Sequence, residues 1–235
     1  MINPFTILWK SAVDVYSELF PMVGMNVLWL LLSIPVVVVV TLVLILFKVP
    51  GELALPISLL FALLAPSPSS VGIHNYVNQQ VKEERVEFEL FWSGLRRFWR
   101  PSLMLLGIGV FGTALLSVNL VFYLTSPLTV LHYFGILWLY AILLWIVMML
   151  YMNPLLVEQE NKSVKLIVRN AFLLAVDNVV PSLVLVVILV LLSAVSIGIT
   201  LLVALLTASY ASSVETRAVL SYLEKYRMKA AKQSS

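Results

Sequence analysis

Cysteine is absent from the sequence. Its absence excludes a disulfide framework, a thiolate-held metal and a thiol nucleophile. Charge is scarce as well: Asp, Glu, Lys and Arg make up 11% of the 235 residues, against about 25% in a soluble domain. Hydrophobic residues make up 61%, against roughly 45–50%. Together these exclude a water-soluble globular fold. They also exclude disorder, which requires low hydrophobicity and high charge. Histidine occurs twice, at His74 and His132, and neither stands in a metal-ligand spacing. No Ser-His-Asp arrangement, carboxylate pair or phosphate loop is convincing. The expectation is a protein that is not an enzyme, with no cofactor, no metal and no catalytic residue.

What is present is apolar length. Mean hydropathy is +1.02. Phe20–Phe47 and Asn178–Val214 carry no charge, and Leu53–Val81 and Pro101–Val157 carry none apart from one histidine each. Each stretch meets or exceeds the roughly 18–20 apolar residues of a membrane span. Pro101–Val157 is broken by Thr125, Ser126 and Pro127 and holds two. The run from Phe20 is too long for a cleaved signal peptide, so the first helix is expected to stay as an anchor.

Lys and Arg gather on the cytoplasmic side of membrane proteins. They cluster here at Lys10, at Lys82, Arg85, Arg96, Arg97 and Arg100, at Lys162, Lys165 and Arg169, and in the tail from Arg217. Placing all four groups inside leaves only Lys48 and Glu52 outside. That requires an even number of crossings after Arg169. Asn178–Val214 is therefore split near Ser193–Gly198 into two short helices, the second running toward Leu220 with Glu215 at the headgroup level. The expected fold is all-α: a polytopic transmembrane helical bundle of about six spans. Five spans, with the tail outside, is the alternative. No acid is expected inside the membrane, which weighs against an ion-coupled transporter.

Three charged segments read as amphipathic interfacial helices on the cytoplasmic side. In the first, Phe5, Leu8, Trp9, Ala12, Val13 and Tyr16 share a face, with Lys10, Asp14 and Glu18 opposite. The second carries Phe88, Phe91, Trp92, Leu95 and Trp99; the third carries Val164, Ile167, Val168, Ala171 and Leu174. Each precedes a proline, Pro21, Pro101 or Pro181, at intervals of 80 residues. The single domain 1–235 thus divides into three units, 1–80, 81–160 and 161–235, each an interfacial helix plus a hairpin.

Gly107, Gly109 and Gly112 spell a dinucleotide motif but lack its strand and acid. Packing is the better reading, with Gly109, Thr113 and Ser117 as a small-residue stripe for a neighbouring helix. His74, Asn75 and Asn78 form a polar end to the second span, a candidate cytoplasmic-side cavity or simply a helix leaving the bilayer. Arg96, Arg97 and Arg100 are candidate contacts for a partner or for lipid headgroups. Net charge +3 and a pI near 9.1 need no nucleic acid once those bases face a membrane.

Two segments carry a family resemblance. One is the first span, with Asn26, Trp29, Ser33 and Pro35. The other runs from Pro68 through Tyr76 to Phe91-Trp92 and Arg96-Arg97-Phe98-Trp99. Together they resemble the YesL-like family of bacterial membrane proteins of unknown function. Ser67 stands where that family usually has glycine, and Ser69-Ser70-Val71-Gly72 replaces its Ala-Thr-Ala-Ala. The resemblance implies a multi-pass protein of the bacterial cytoplasmic membrane, associated with carbohydrate uptake. The expected role is accessory or regulatory, with the lipid bilayer and another membrane protein as partners. The alternative is a transporter for a small neutral or lipid-like solute.

Overall fold

A computed structural model describes residues 3–82, 86–198 and 203–233. Arg85 and residues 199–202 lie outside the described residues. The break expected near Ser193–Gly198 is absent, because one helix runs unbroken from Val179 to Gly198 and no proline or charge interrupts it there. Among the described residues the chain is all helix, with no strand. In chain order the helices are α1 (Pro4–Ser17), α2 (Leu19–Leu46), α3 (Gly51–Leu64), α4 (Pro68–Val81), α5 (Glu89–Thr125), α6 (Thr129–Glu158), α7 (Val164–Asp177) and α8 (Val179–Gly198). A π-helical turn, Val203–Thr207, then leads into α9 (Ala208–Gln233).

Local chemistry sets several boundaries. Asn3 Oδ1 accepts from the Phe5 N–H at 3.0 Å, and Pro4 fills the first turn of α1. Ser67 and Ser70 form a reciprocal capping box that starts α4, with Pro68 at its first turn. α1 stops at Glu18 and α7 stops at Asn178, and the two residues share one backbone geometry (φ −121°, ψ 42° and φ −127°, ψ 39°). Each stands three residues before its proline, Pro21 or Pro181. The second charged segment behaves differently. It runs through Pro101 without a break, so α5 is one helix of 37 residues. Proline removes a helical donor to the carbonyl four residues earlier, and that residue, Arg97, is exposed.

Among the described residues four helices are long and apolar enough to cross a membrane: α2, α5, α6 and α8. The pair α3–α4, bent by 43° at Ala65–Ser67, makes a fifth if counted as one span. Their outward residues are apolar, among them Val39, Leu46, Phe111, Phe122, Leu137, Tyr140 and Leu191. Such a surface marks a membrane-embedded protein. α9 does not qualify alone. Its buried face holds Ala208, Ala211, Val214, Ala218, Val219 and Tyr222, but its second half is a charged tail.

Three inner helices, α4, α6 and α9, pack on one another. The charged segments pack around them: α1 on α9, the start of α5 on α4, and α7 on α6. Close approach in the second contact depends on two glycines. A Cβ on Gly72 would lie 2.8 Å from the Phe91 ring, and one on Gly94 would lie 2.5 Å from Asn75 Cβ.

The faces of α1 are informative. Phe5, Trp9 and Tyr16 are 67%, 72% and 80% exposed, and Ile7, Ser11 and Val15 are buried. The aromatic face thus points away from the bundle. Asp14, expected on the polar outer side, turns inward onto Arg217 of α9. The face of α7 expected at the membrane surface is used for packing, since Ile167, Ala171 and Leu174 are buried.

Candidate functional site

α4 carries Ser70, His74 and Asn78 at four-residue spacing, which places them on one helical face. All three are buried. Each meets a polar group from α6 or α9, so the inner helices share a ladder with three rungs.

The first rung lies at the bend between α3 and α4. Asn153 of α6 donates through Nδ2 to the Ser67 carbonyl (3.1 Å) and to Ser70 Oγ (2.7 Å). Ser102 of α5 donates to Asn153 Oδ1 at 3.3 Å. Ser69 Oγ bonds Ser33 Oγ of α2 at 2.9 Å and Ser67 Oγ at 2.8 Å. A helix break frees backbone groups that lipid cannot satisfy. The serines and Asn153 supply the partners.

The second rung is His74. Its Nε2 lies 3.1 Å from Glu215 Oε2, and its Nδ1 lies 3.0 Å from Thr216 Oγ1. Side-chain exposure is 1% for His74 and 7% for Glu215. Tyr151 of α6 adjoins them, with its hydroxyl donating to Ser182 of α8 at 2.6 Å and its ring packed edge-on to Tyr222 at 5.8 Å. Among the described residues, Glu215 Oε1 and the Tyr222 hydroxyl are buried without a hydrogen-bond partner.

The third rung is Glu158, at the end of α6. Its Oε2 accepts from Asn78 Nδ2 (3.1 Å) and from Lys82 Nζ (2.7 Å), and its Oε1 accepts from Arg227 Nη2 (3.1 Å). One carboxylate thus ties the charged ends of α4, α6 and α9. Two more ion pairs lie at the same end. Arg217 of α9 grips Asp14 of α1 through both Nε and Nη2, the latter at 2.6 Å from Oδ1. Lys225 lies 3.3 Å from Asp177, which also accepts from the Tyr226 hydroxyl. The Tyr226 bond, then Lys225, hold the Asp177 carboxyl below its usual range. Tyr226 is pushed up to about 12, first by burial and then by Asp177. Burial, then Arg97, lowers the Lys162 ammonium, which lies 5.1 Å from the Phe98 ring centroid.

The structure separates the three residues expected to line a cavity. His74 and Asn78 share the ladder face. Asn75 points to α5, where its Nδ2 donates to the Leu90 carbonyl at 2.8 Å. At a helical spacing of one residue, Asn75 sits about 100° around from His74. A lateral groove of about 1310 Å³ lies elsewhere, between α1, the α7–α8 junction and α9. Arg96, Arg97 and Arg100 are exposed at the charged end of α5. Arg96 reaches Glu89 at 3.9 Å, and Arg97 and Arg100 stand 5.1 and 5.5 Å over the rings of Phe98 and Trp99.

On the stripe, Gly109 faces Met149 and Pro66, and Thr113 accepts from Trp145 Nε1 at 3.1 Å. Ser117 is exposed. The tightest place is Gly112, where a Cβ would lie 2.2 Å from the Trp145 ring. His132 bonds the Ser126 carbonyl at 2.8 Å in the α5–α6 turn.

Sequence reasoning missed Asn153, Tyr151, Glu215, Thr216 and Tyr222. Glu215 was expected only as a headgroup-level charge; it turns into the bundle, where His74 is its partner. A signal was available. Ser212, Glu215, Thr216 and Tyr222 fall near one another on a helical projection of α9, among buried alanines and valines. Comparison of the chain with protein-family models, with curated proteins and with solved structures finds no match.

Proposed function

We propose that the chain is a six-crossing protein of the bacterial cytoplasmic membrane, of the YesL-like family, with both termini in the cytoplasm. In this reading it is not an enzyme. It is an accessory or regulatory component of another membrane system, with carbohydrate uptake as the system the resemblance implies. One observation carries the reading: Glu158 joins Lys82 and Arg227, so the tail helix returns to the end that holds the other basic segments. An even number of crossings after Arg169 follows from that arrangement and from the cytoplasmic preference of Lys and Arg. The ladder side chains are packed against one another, which favours a structural core over a solute path. Arg96, Arg97, Arg100 and Trp99 stay exposed at the charged end and offer a basic, aromatic surface to a partner.

The three-unit reading is supported by the matching breaks at Glu18 and Asn178, and by the way each charged segment packs on an inner helix. Parallel repeats of this kind are common in membrane proteins. The test of function is cross-linking in cells at native expression, followed by recovery in detergent. A membrane partner that is recovered with the wild type and lost in Arg96→Ala/Arg97→Ala/Arg100→Ala supports the reading. Recovery of the chain alone counts against it.

The bend between α3 and α4 favours a second reading, a transporter for a small neutral solute. Interrupted helices often build binding sites at mid-membrane, and here the bend is lined by Ser67, Ser69, Ser70 and Asn153. Flux of neutral sugars in proteoliposomes, reduced by Asn153→Leu, would favour it. Asn75→Leu is the poorer probe, since Asn75 serves the α4–α5 contact.

A further inference from the structure

The middle rung joins two titratable groups, with His74 Nε2 at 3.1 Å from Glu215 Oε2. Thr216 Oγ1 can donate to Nδ1 or accept from it, so it serves either ring tautomer. The charge count decides. A neutral imidazole beside a carboxylate is net negative, and one further proton, on the ring or on the carboxyl, makes the pair net neutral. Without it a buried negative charge is left, and with a second one a buried positive charge. Either is costly where side-chain exposure is 1% and 7%.

We infer that His74 and Glu215 form a buried site that binds one exchangeable proton and holds α4 against α9 while that proton is bound. This is a binding site for a proton, independent of whether the chain assists a partner or moves a solute. Among the described residues Glu215 Oε1 has no hydrogen-bond partner, so the carboxyl keeps one oxygen that no protein donor occupies.

The other groups facing the pair are identified. Tyr151 comes from α6, with its hydroxyl held by Ser182 of α8, and Tyr222 comes from α9. Glu158 with Lys82 and Arg227 lies toward the charged end, and the Asp14–Arg217 pair lies on the α1 side of α9. These pairs carry compensated charge. The two tyrosines ionise in water near about pH 10.

The sign follows from counting protons. An unfolded His74 and Glu215 titrate near about 6.5 and 4.3. Between those values the unfolded pair also holds one proton, so folding is insensitive to pH. Above about 6.5 the unfolded pair holds none, and the unfolding constant rises about tenfold per pH unit.

The experiment is equilibrium unfolding of the full chain in mixed micelles, from pH 6.5 to 8.5, for the wild type and Glu215→Gln. An amide donates to Nε2 with no titratable proton. The wild type is expected to lose about a hundredfold in folding constant relative to the variant over this interval. Parallel pH profiles overturn the proposal. His74→Leu/Glu215→Leu serves as the second variant: it has no titrating group here, so the wild type is expected to lose about fiftyfold relative to it, and parallel profiles again overturn the proposal. Unfolding of the wild type alone in weak buffer at pH 8 gives an independent reading. Release of about one proton supports the site, and release of none overturns it.

Discussion

Asn153→Ala tests the first rung of the ladder. Asn153 is 2% exposed and ends three interhelical bonds: to the Ser67 carbonyl, to Ser70 Oγ and from Ser102. Hydrogen bonds between helices in membrane bundles average about 0.6 kcal/mol each, so the three together contribute about 2 kcal/mol. Truncation also strands the Ser102 hydroxyl and leaves a small void, which adds about 1 kcal/mol. The expected loss is about 3 kcal/mol by these increments. Asn119→Ala is the matched control. Asn119 is partly exposed, and its Nδ2 donates only to the Leu115 carbonyl of its own helix at 2.7 Å. Its substitution should change stability by less than about 0.5 kcal/mol. The assay is unfolding of the purified chain by sodium dodecyl sulfate in mixed micelles, read by tryptophan fluorescence. Equal effects of the two substitutions would refute the reasoning, because residue type, and not place in the bundle, would then set the cost.

Gly112→Ala should destabilise by about 1–3 kcal/mol, since its Cβ meets the Trp145 ring at 2.2 Å. Gly107→Ala, with nothing within 4 Å, should be neutral to stabilising by up to about 1 kcal/mol in the same detergent unfolding. The ion pairs should differ by burial. Arg217 and Asp14 are 19% and 13% exposed, so Asp14→Ala should cost about 3 kcal/mol. Arg227 is 71% exposed, and Arg227→Ala should cost less than about 1 kcal/mol; a reversed order in a denaturation series contradicts the assignment. Tyr226 should ionise near about 12 by tyrosinate absorption. Its raised value stabilises the fold below its usual range, about 10, and that contribution is lost as pH rises toward 12. Asp177→Asn should bring the ionisation part of the way back, because burial remains; an unchanged titration would deny the Asp177 contact.

Much of the fold was legible in the apolar runs, because a span must be about 20 residues long and uncharged to satisfy itself in lipid. Capping was legible where polar residues meet prolines, at Asn3-Pro4 and Ser67-Pro68. The continuity of α5 through Pro101 was not. Proline marks a break or a tolerated kink equally well, and the exposed Arg97 end decides which. Direction was the harder problem for polar residues. His74, Asn75 and Asn78 are close in sequence, but helical rotation sends Asn75 to α5 and the others to the ladder. Glu215 and Asn153 were unreadable as partners, since pairs separated by 141 and 83 residues carry no local signal. Lys48, in the left-handed region at φ 63°, likewise gives no sequence hint of its turn.

The central claim is that the tail helix returns to the end where the other charged segments gather, making six crossings. The absence of cysteine makes the test clean. Single cysteines placed at Ser126 and at Ser235 can be labelled in intact cells with a membrane-impermeant thiol reagent. The account predicts labelling at Ser126→Cys, and at Ser235→Cys only after the membrane is opened. Labelling of Ser235→Cys in intact cells would contradict it and leave an odd number of crossings.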